Sequence, residues 1–462
     1  MGQVGTDKMN FIQKLIDAWK TDTLMQKVIR NTGYLFSSNT VAMVLGAGQG
    51  ILAALLLGPT GYGVLGLVIT LATSMNRLFS FRMGEIVIKY AGQDLATDNQ
   101  HRAAAVVKAA FFAEATTTIL AYIILVVTAP WTALIFVKDA SVTPWIIIYG
   151  ASLLFNLVNE TSTAVLQLGN HYRSQAMVNL SQSIITALFI VIAYFRHGTV
   201  YDVILAYLLG KAVNGTGIFI IAIRKMGDLF GAKWWKAPMS SIEQPMEMIR
   251  FAITTNLSGT INLVIRDSDI LWVGLFLDTT ASGYYKFATA MMNVMLMPIT
   301  PFISTTFPEI SRSVAKRTWG VLKRLLIRTS GIAAAWTGAC MVGVLVFGQW
   351  LLSLVSEGEY LPSFPLVLIL IVGYGIANIL FWNRPLLLAF GKARFPLLVT
   401  FFVGAAKIIL MVLLVPVYGV NGMAWLMSGY FILSVGIIAS RGIHMVFSAH
   451  AEDHKTIQVG AA

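Results

Sequence analysis

Twelve apolar runs set the fold class of this chain. They lie at about 33–57, 61–82, 104–129, 144–168, 174–196, 199–223, 250–276, 281–307, 325–348, 363–389, 394–416 and 420–444. A helix takes about 20 residues to cross a hydrocarbon core of roughly 30 Å, and every run is long enough. In lipid the backbone must satisfy its own hydrogen bonds, which for runs of this length leaves the helix. The expectation is an all-α, polytopic membrane protein with twelve transmembrane helices. A hydrophobic fraction of 57% against 12% charged residues excludes a soluble domain of this size.

The basic residues are shared unequally between the two sides of such a protein. With both termini on one side, and residues near a run's end counted to the side they face, that side receives 25 of the 33 Lys and Arg residues, the other receives Lys138 and Arg196, and six lie deeper inside the runs. Lys and Arg collect in cytoplasmic loops, so both termini are expected in the cytoplasm of a bacterial inner membrane. The net charge of +12 sits in short loops, as at Arg224, Lys225, Lys233 and Lys236 or at Arg312, Lys316 and Arg317. There it sets topology and meets anionic membrane lipids, and it gives no footprint for nucleic acid.

Residues 1–30 are expected to form an amphipathic helix on the cytoplasmic surface. Phe11, Ile12, Leu15, Ile16 and Trp19 share one helical face, with Lys14, Lys20 and Lys27 elsewhere. Two halves of six runs follow, at 31–224 and 248–445, joined by a polar interfacial linker at 225–247 and ended by a tail at 446–462. A shift of 220 residues lays LLLGPTGYGVLGL (55–67) over LFLDTTASGYYKF (275–287), with Gly63 on Gly283. A shift of 222 sets Gly169 on Gly391. Halves with an even number of spans enter from the same side, which gives parallel repeats and a binding site at their interface. Cys340 is the only cysteine, so neither an intramolecular disulfide nor a cysteine metal cluster is available.

Three stretches carry a family resemblance: LLLGPTGYGVLGL (55–67), RDSDILWVGLFLDTTASGYY (266–285) and VPVYGVNGMAW (415–425). At these residues the chain resembles the polysaccharide, or O-antigen (Wzx-type), flippase family of the multidrug/oligosaccharidyl-lipid/polysaccharide exporter superfamily. Asp269, Gly274 and Gly283 match its seventh-to-eighth span pattern, and Pro416, Tyr418, Gly419 and Gly422 its final loop. The resemblance implies two six-helix bundles in a V around a central cavity. It also implies movement of an undecaprenyl-diphosphate-linked oligosaccharide between leaflets by alternating access. A polysaccharide polymerase and a chain-length regulator are the partner proteins it brings to mind; no cofactor is implied.

The residues argue for a cavity independently. Arg77, Lys211, Arg266, Lys286, Arg384 and Lys407 lie within runs, as do Glu114, Glu160, Asp267 and Asp269. A charge at a lipid-facing helix centre costs about 2.5–3.5 kcal/mol, so these side chains are expected to face the interior. Ser258, Asn262, Arg266 and Asp269 follow helical spacing and predict one polar stripe along the seventh span. Arg77, Lys286 and Arg384 stand near run ends, where snorkelling to the interface is the alternative. Arg266 with Asp269 reads either as part of the site or as an intrahelical pair that locks the bundle. Glu160, Glu114 and Asp269 are the candidates for carrying a coupling proton, and Glu114 and Glu160 read alternatively as partners for buried cations. Six cations against four acids leave a positive interior, suited to a diphosphate. Asn156, Asn159, Tyr374, Asn378 and Trp382 are candidate sugar contacts.

Other readings lose ground on particular residues. GAGQG (46–50) lies inside the first run with no strand before it, so it packs helices and does not cradle phosphate. A multidrug/ion antiporter of the same superfamily is expected to carry an acid in the first span, and 33–57 contains none. A glycan polymerase or ligase needs a substantial outer loop, and 130–143 and 349–362 offer little beyond Lys138, Asp139, Glu357 and Glu359. No metal site is expected.

Overall fold

A computed structural model describes residues 23–354 and 356–460. The surface helix expected over residues 1–30 falls largely outside them. Among the described residues the regular structure is entirely helical. Eight helical stretches are long and apolar enough to cross a membrane. Two of these, Thr40–Ala96 and Arg394–Ala451, run to 57 and 58 residues, about twice what a bilayer needs.

The reason is a hinge within each. Helix α1 (Thr23–Phe79) bends at Gly58, which has φ 62°, and restarts at Pro59. Proline suits the first position of a helix because its missing N–H has no intrahelical partner there. The chain folds back at this point, since the Tyr62 hydroxyl stands 3.5 Å from a Cβ built on Gly50. The last helix bends likewise at Gly419, also at φ 62°. That backbone region excludes most side chains and admits glycine.

Between these lie α2 (Gln100–Thr132), α3 (Thr143–Gly150), α4 (Asn159–Leu168), α5 (Tyr172–Phe195) and α6 (Val200–Phe230). Then come α7 (Pro245–Asn262), α8 (Asp269–Phe276), α9 (Thr279–Leu296) and α10 (Thr300–Ala315). The chain ends with α11 (Trp319–Leu354), α12 (Phe364–Ile379), α13 (Asn383–Ala389) and α14 (Arg394–Gly460), so helix continues into the expected tail. Leu65, Leu125, Ile146, Ile190 and Ile204 join α1, α2, α3, α5 and α6 in one core. Leu366, Leu370, Met411 and Met427 join α12 and α14 in another, with Met292 of α9. Large apolar side chains such as Val346, Trp350, Phe402 and Leu413 point outward, as a lipid-facing surface requires.

Several expected spans are interrupted. The run at 144–168 breaks between a turn at Ser152–Phe155 and Asn159, and that at 363–389 breaks between Ile379 and Asn383. The run at 250–276 is divided by a π-helical turn, Leu263–Asp267. Irregular backbone at membrane depth survives where it is buried or lines a cavity, and these breaks do both.

The early and late helices meet where Lys138 and Glu359 lie. There α1 crosses α9, and a methyl group on Gly63 would overlap the Thr279 carbonyl while one on Gly283 would overlap that of Pro59. Thr60 and Thr280 hydrogen-bond through their hydroxyls at 2.8 Å. The buried Tyr360 donates to the Ala54 carbonyl at 3.1 Å and packs on Phe287. Lys138 donates to the Leu277 carbonyl across the same seam. At the opposite end the 225–247 linker is strapped to α2: Lys108 donates to the Trp235 carbonyl at 3.0 Å, and Arg102 bridges Asp94 and Glu243.

Candidate functional site

Between the two groups of helices lie two chambers of about 960 and 690 Å³. Arg77, Arg266, Asp267 and Arg384 line both. The larger reaches toward the closed seam and is lined also by Lys211, Lys286, Tyr149, Tyr207 and Tyr374. The smaller opens toward the linker end, with Asn262, Glu160, Arg82 and Glu85 in its wall.

The breaks in the helices position these groups. Arg266 and Asp267 close the π-helical turn, and Arg384 stands in the first turn of α13 beyond a break. Arg77 comes from the last turn of α1, Lys211 from α6 and Lys286 from α9. Five of the six cations expected at a cavity therefore line one. Lys286 holds its ammonium 4.2 Å from the centre of the Tyr62 ring, a face that attracts cations. Among the described residues Arg384 and Lys211 form no ion pair. Asn262 lines the smaller chamber and Asn378 the larger. Asn378 also donates to Thr337 at 3.0 Å. The side chain of Ser258 lies outside those described.

Two expectations need correction. Lys407 does not face the cavity; its side chain is 2% exposed and that of Asp269 5%. The Lys407 ammonium lies 2.6 and 2.8 Å from the two Asp269 oxygens and 2.6 Å from the Ile265 carbonyl, and the Tyr285 hydroxyl donates to Asp269 at 2.9 Å. Arg266 does not pair with Asp269 along the helix; it reaches Asp267 at 3.1 Å. The π-helical turn ends at Asp267 and the backbone breaks at Ser268, with φ −100° and ψ 9°, before α8 begins, which turns Asp269 out of the Arg266 stripe and into the bundle.

The two glutamates also separate. Glu114 is buried and accepts the backbone N–H groups of Glu160 and Thr161, at 2.8 and 2.9 Å. These are orphan donors of the first turn of α4, so the carboxylate caps a helix interrupted inside the membrane. Glu160 accepts a hydrogen bond from Ser80 at 2.7 Å and borders the cavity. The sequence reading gave Asp267 no part in the site beyond that of an acid facing the interior, and it did not single out Arg82. Adjacency to Arg266 was the available signal for the first. Among the described residues no cluster of His, Cys, Asp or Glu is arranged to hold a metal ion.

An all-helical molecule with a polar chamber between two helix groups, sealed at one end, has the build of an alternating-access transporter. Solved structures share the fold. The fold matches an inward-facing multidrug resistance MATE family transporter of the MOP superfamily with a TM-score of 0.72, at 12% identity over 88% of this chain and 95% of the other. It matches the lipid II flippase MurJ, in an inward closed conformation, with a TM-score of 0.67 at 15% identity over 91% and 93%.

Sequence then gives the family. The model for "Polysaccharide biosynthesis protein" matches residues 28–314, and this chain belongs to that family. The inner membrane protein YghQ of Escherichia coli is 24% identical over 374 residues, 76% of this chain and 99% of the relative. The teichuronic acid biosynthesis protein TuaB of Bacillus subtilis is 20% identical over 60% of this chain and 55% of its own length. The chain is thus a multi-pass membrane protein of a polysaccharide biosynthesis family.

Proposed function

We propose that this protein carries an undecaprenyl-diphosphate-linked oligosaccharide from the cytoplasmic to the periplasmic leaflet of the inner membrane. The observation that carries this reading is the cationic cavity: Arg77, Arg266, Arg384, Lys211 and Lys286 line it, with Asp267 the one carboxylate paired to them there. A diphosphate is a multivalent anion, and arginine forks match its oxygens. Glu160 and Asp269 also border the chambers, but Ser80 holds the first and Lys407 the second. Likeness to a teichuronic acid biosynthesis protein and to a lipid II flippase supports a lipid-linked glycan as cargo. A cationic drug, the cargo of the rival antiporter reading, would be repelled by this lining.

Counting α1 and α14 as two spans each, and joining α3 to α4, α7 to α8, α9 to α10 and α12 to α13, yields twelve spans. Two six-helix bundles over 31–224 and 248–445, linked by 225–247, follow from that count. The 25-to-2 basic bias supports cytoplasmic termini. In a Cys340→Ala background, Lys233→Cys is expected to label from the cytoplasmic side and Gly358→Cys from the periplasmic side. Labelling of both from the periplasm refutes this orientation.

Flux of the lipid-linked oligosaccharide in proteoliposomes tests the cavity. Arg266→Ala, Arg384→Ala and Lys211→Ala are each expected to cut it roughly tenfold or more, since a hydrogen bond to a charged group contributes about 1.5–3 kcal/mol. Charge-preserving swaps should keep more activity, and wild-type flux in all three alanine variants would sink the electrostatic role. An imposed pH gradient adds the coupling arm. Glu160 is the candidate proton carrier, because Glu114 is committed to backbone donors. Glu160→Gln should lose the response to the gradient; an unchanged response places coupling elsewhere.

A further inference from the structure

Asp267 is a carboxylate paired to two of the cavity's arginines, which a site for anions does not call for. Its two oxygens are both engaged: one accepts from Nε of Arg266, and the other from Nη1 of Arg77. The two arginines come from different helix groups, Arg77 from the end of α1 and Arg266 from the turn between α7 and α8. The carboxylate therefore sits between two guanidinium forks as one phosphate of a ligand would.

The burial of this cluster differs from that of its neighbour. Lys407 and Asp269 are sealed from solvent, whereas the Arg77, Arg266 and Asp267 side chains are 56%, 51% and 28% exposed to the cavity. An open ion pair of this kind contributes little net stability, so a competing anion exchanges with it readily. Arg384, which borders both chambers and has no ion pair among the described residues, is at hand for a second phosphate.

Resting on the diphosphate reading, we propose that Asp267 is a built-in stand-in for the substrate's phosphate. In the empty cavity it neutralises Arg77 and Arg266 and latches the two helix groups together along this side; a phosphate takes its place and releases the latch. Other polar contacts join α7 to the early helices on this side, among them Glu247, which accepts from the Tyr90 hydroxyl at 3.2 Å and pairs with Lys89. Asn256 donates to the Leu78 carbonyl at 3.1 Å, and the Arg82 guanidinium lies against Gly259. Substrate binding and reorientation of the halves are in this way joined at one carboxylate. The chemistry recognised is a diphosphate or a pair of adjacent phosphates, whatever glycan it bears.

Calorimetric titration of the full-length protein in detergent with inorganic pyrophosphate tests the exchange. Removing an anion from the binding fork removes like-charge repulsion, so Asp267→Asn is expected to bind pyrophosphate roughly tenfold more tightly than wild type. Asp267→Ala should behave in the same way, and it replaces the amide variant if that one elutes as aggregate. Arg77→Ala and Arg266→Ala should bind much more weakly. A purely structural aspartate gives no gain in affinity. If wild type binds in an arginine-dependent manner while both Asp267 variants bind equally or more weakly, the stand-in proposal is overturned and the anion site survives. If pyrophosphate binds to neither wild type nor the Asp267 variants, the diphosphate reading falls with it.

Discussion

Joining Thr60→Cys to Thr280→Cys in a Cys340→Ala background is expected to stop transport, and a reductant to restore it. The two hydroxyls are 2.8 Å apart, so thiols in their place come within reach of the short sulfur–sulfur bond. The linkage fastens the seam at which α1 crosses α9. A transporter that works by alternating access must open that seam once per cycle to release its cargo on the far side. Gly63→Ala and Gly283→Ala attack the same seam from the opposite direction. Each methyl group would overlap a backbone carbonyl of the other helix, and backbone cannot move aside as a flexible side chain can. Those variants are expected to lose closure of this end and with it tight coupling, seen as uncoupled leak in proteoliposomes. Crosslinked protein that transports at the rate of the reduced form would show that the seam is no gate.

Much of this architecture can be read from the residues, and the misses have physical causes. The gaps within the first and last pairs of runs hold Gly58 and Gly419, because a glycine close to a proline (Pro59 and Pro416) inside an apolar stretch announces a sharp turn. The repeat at 220 residues sets Gly63 on Gly283. That the two glycines also touch is a matter of which helix faces meet, and no shift of the sequence contains that information. The polar stripe along the seventh span failed in its last member. Spacing arguments assume a constant angle per residue, and the π-helical turn at Leu263–Asp267 breaks the assumption. Arg266 stays in the cavity, Asp267 joins it, and Asp269 turns to Lys407, 138 residues away. The roles of Glu114 and Glu160 were undecided for a similar reason. The backbone donors that claim Glu114 are 46 and 47 residues distant, in a helix whose interruption the sequence did not reveal.

Lys407→Ala is expected to be the most destabilising single change in the molecule, by about 3–5 kcal/mol, because it strands a buried carboxylate without its cation. Asp269 would keep the Tyr285 hydroxyl, and the Ile265 carbonyl would lose its donor as well. Asp269→Asn is expected to cost less, since an amide still accepts from Lys407 and Tyr285 while the ammonium keeps a carbonyl partner. Lys407→Met combined with Asp269→Leu should recover much of the loss, because a buried pair is often no more stabilising than apolar groups of similar volume. The measurement is the thermal unfolding midpoint of the purified protein in detergent, followed by flux of each variant that folds. A wild-type midpoint for Lys407→Ala contradicts the sealed ion pair. Recovery of both stability and flux in the double variant identifies the pair as scaffold for the late helices. Recovery of stability without flux means that the charges themselves act in transport, Asp269 at the border of the chamber and Lys407 through it.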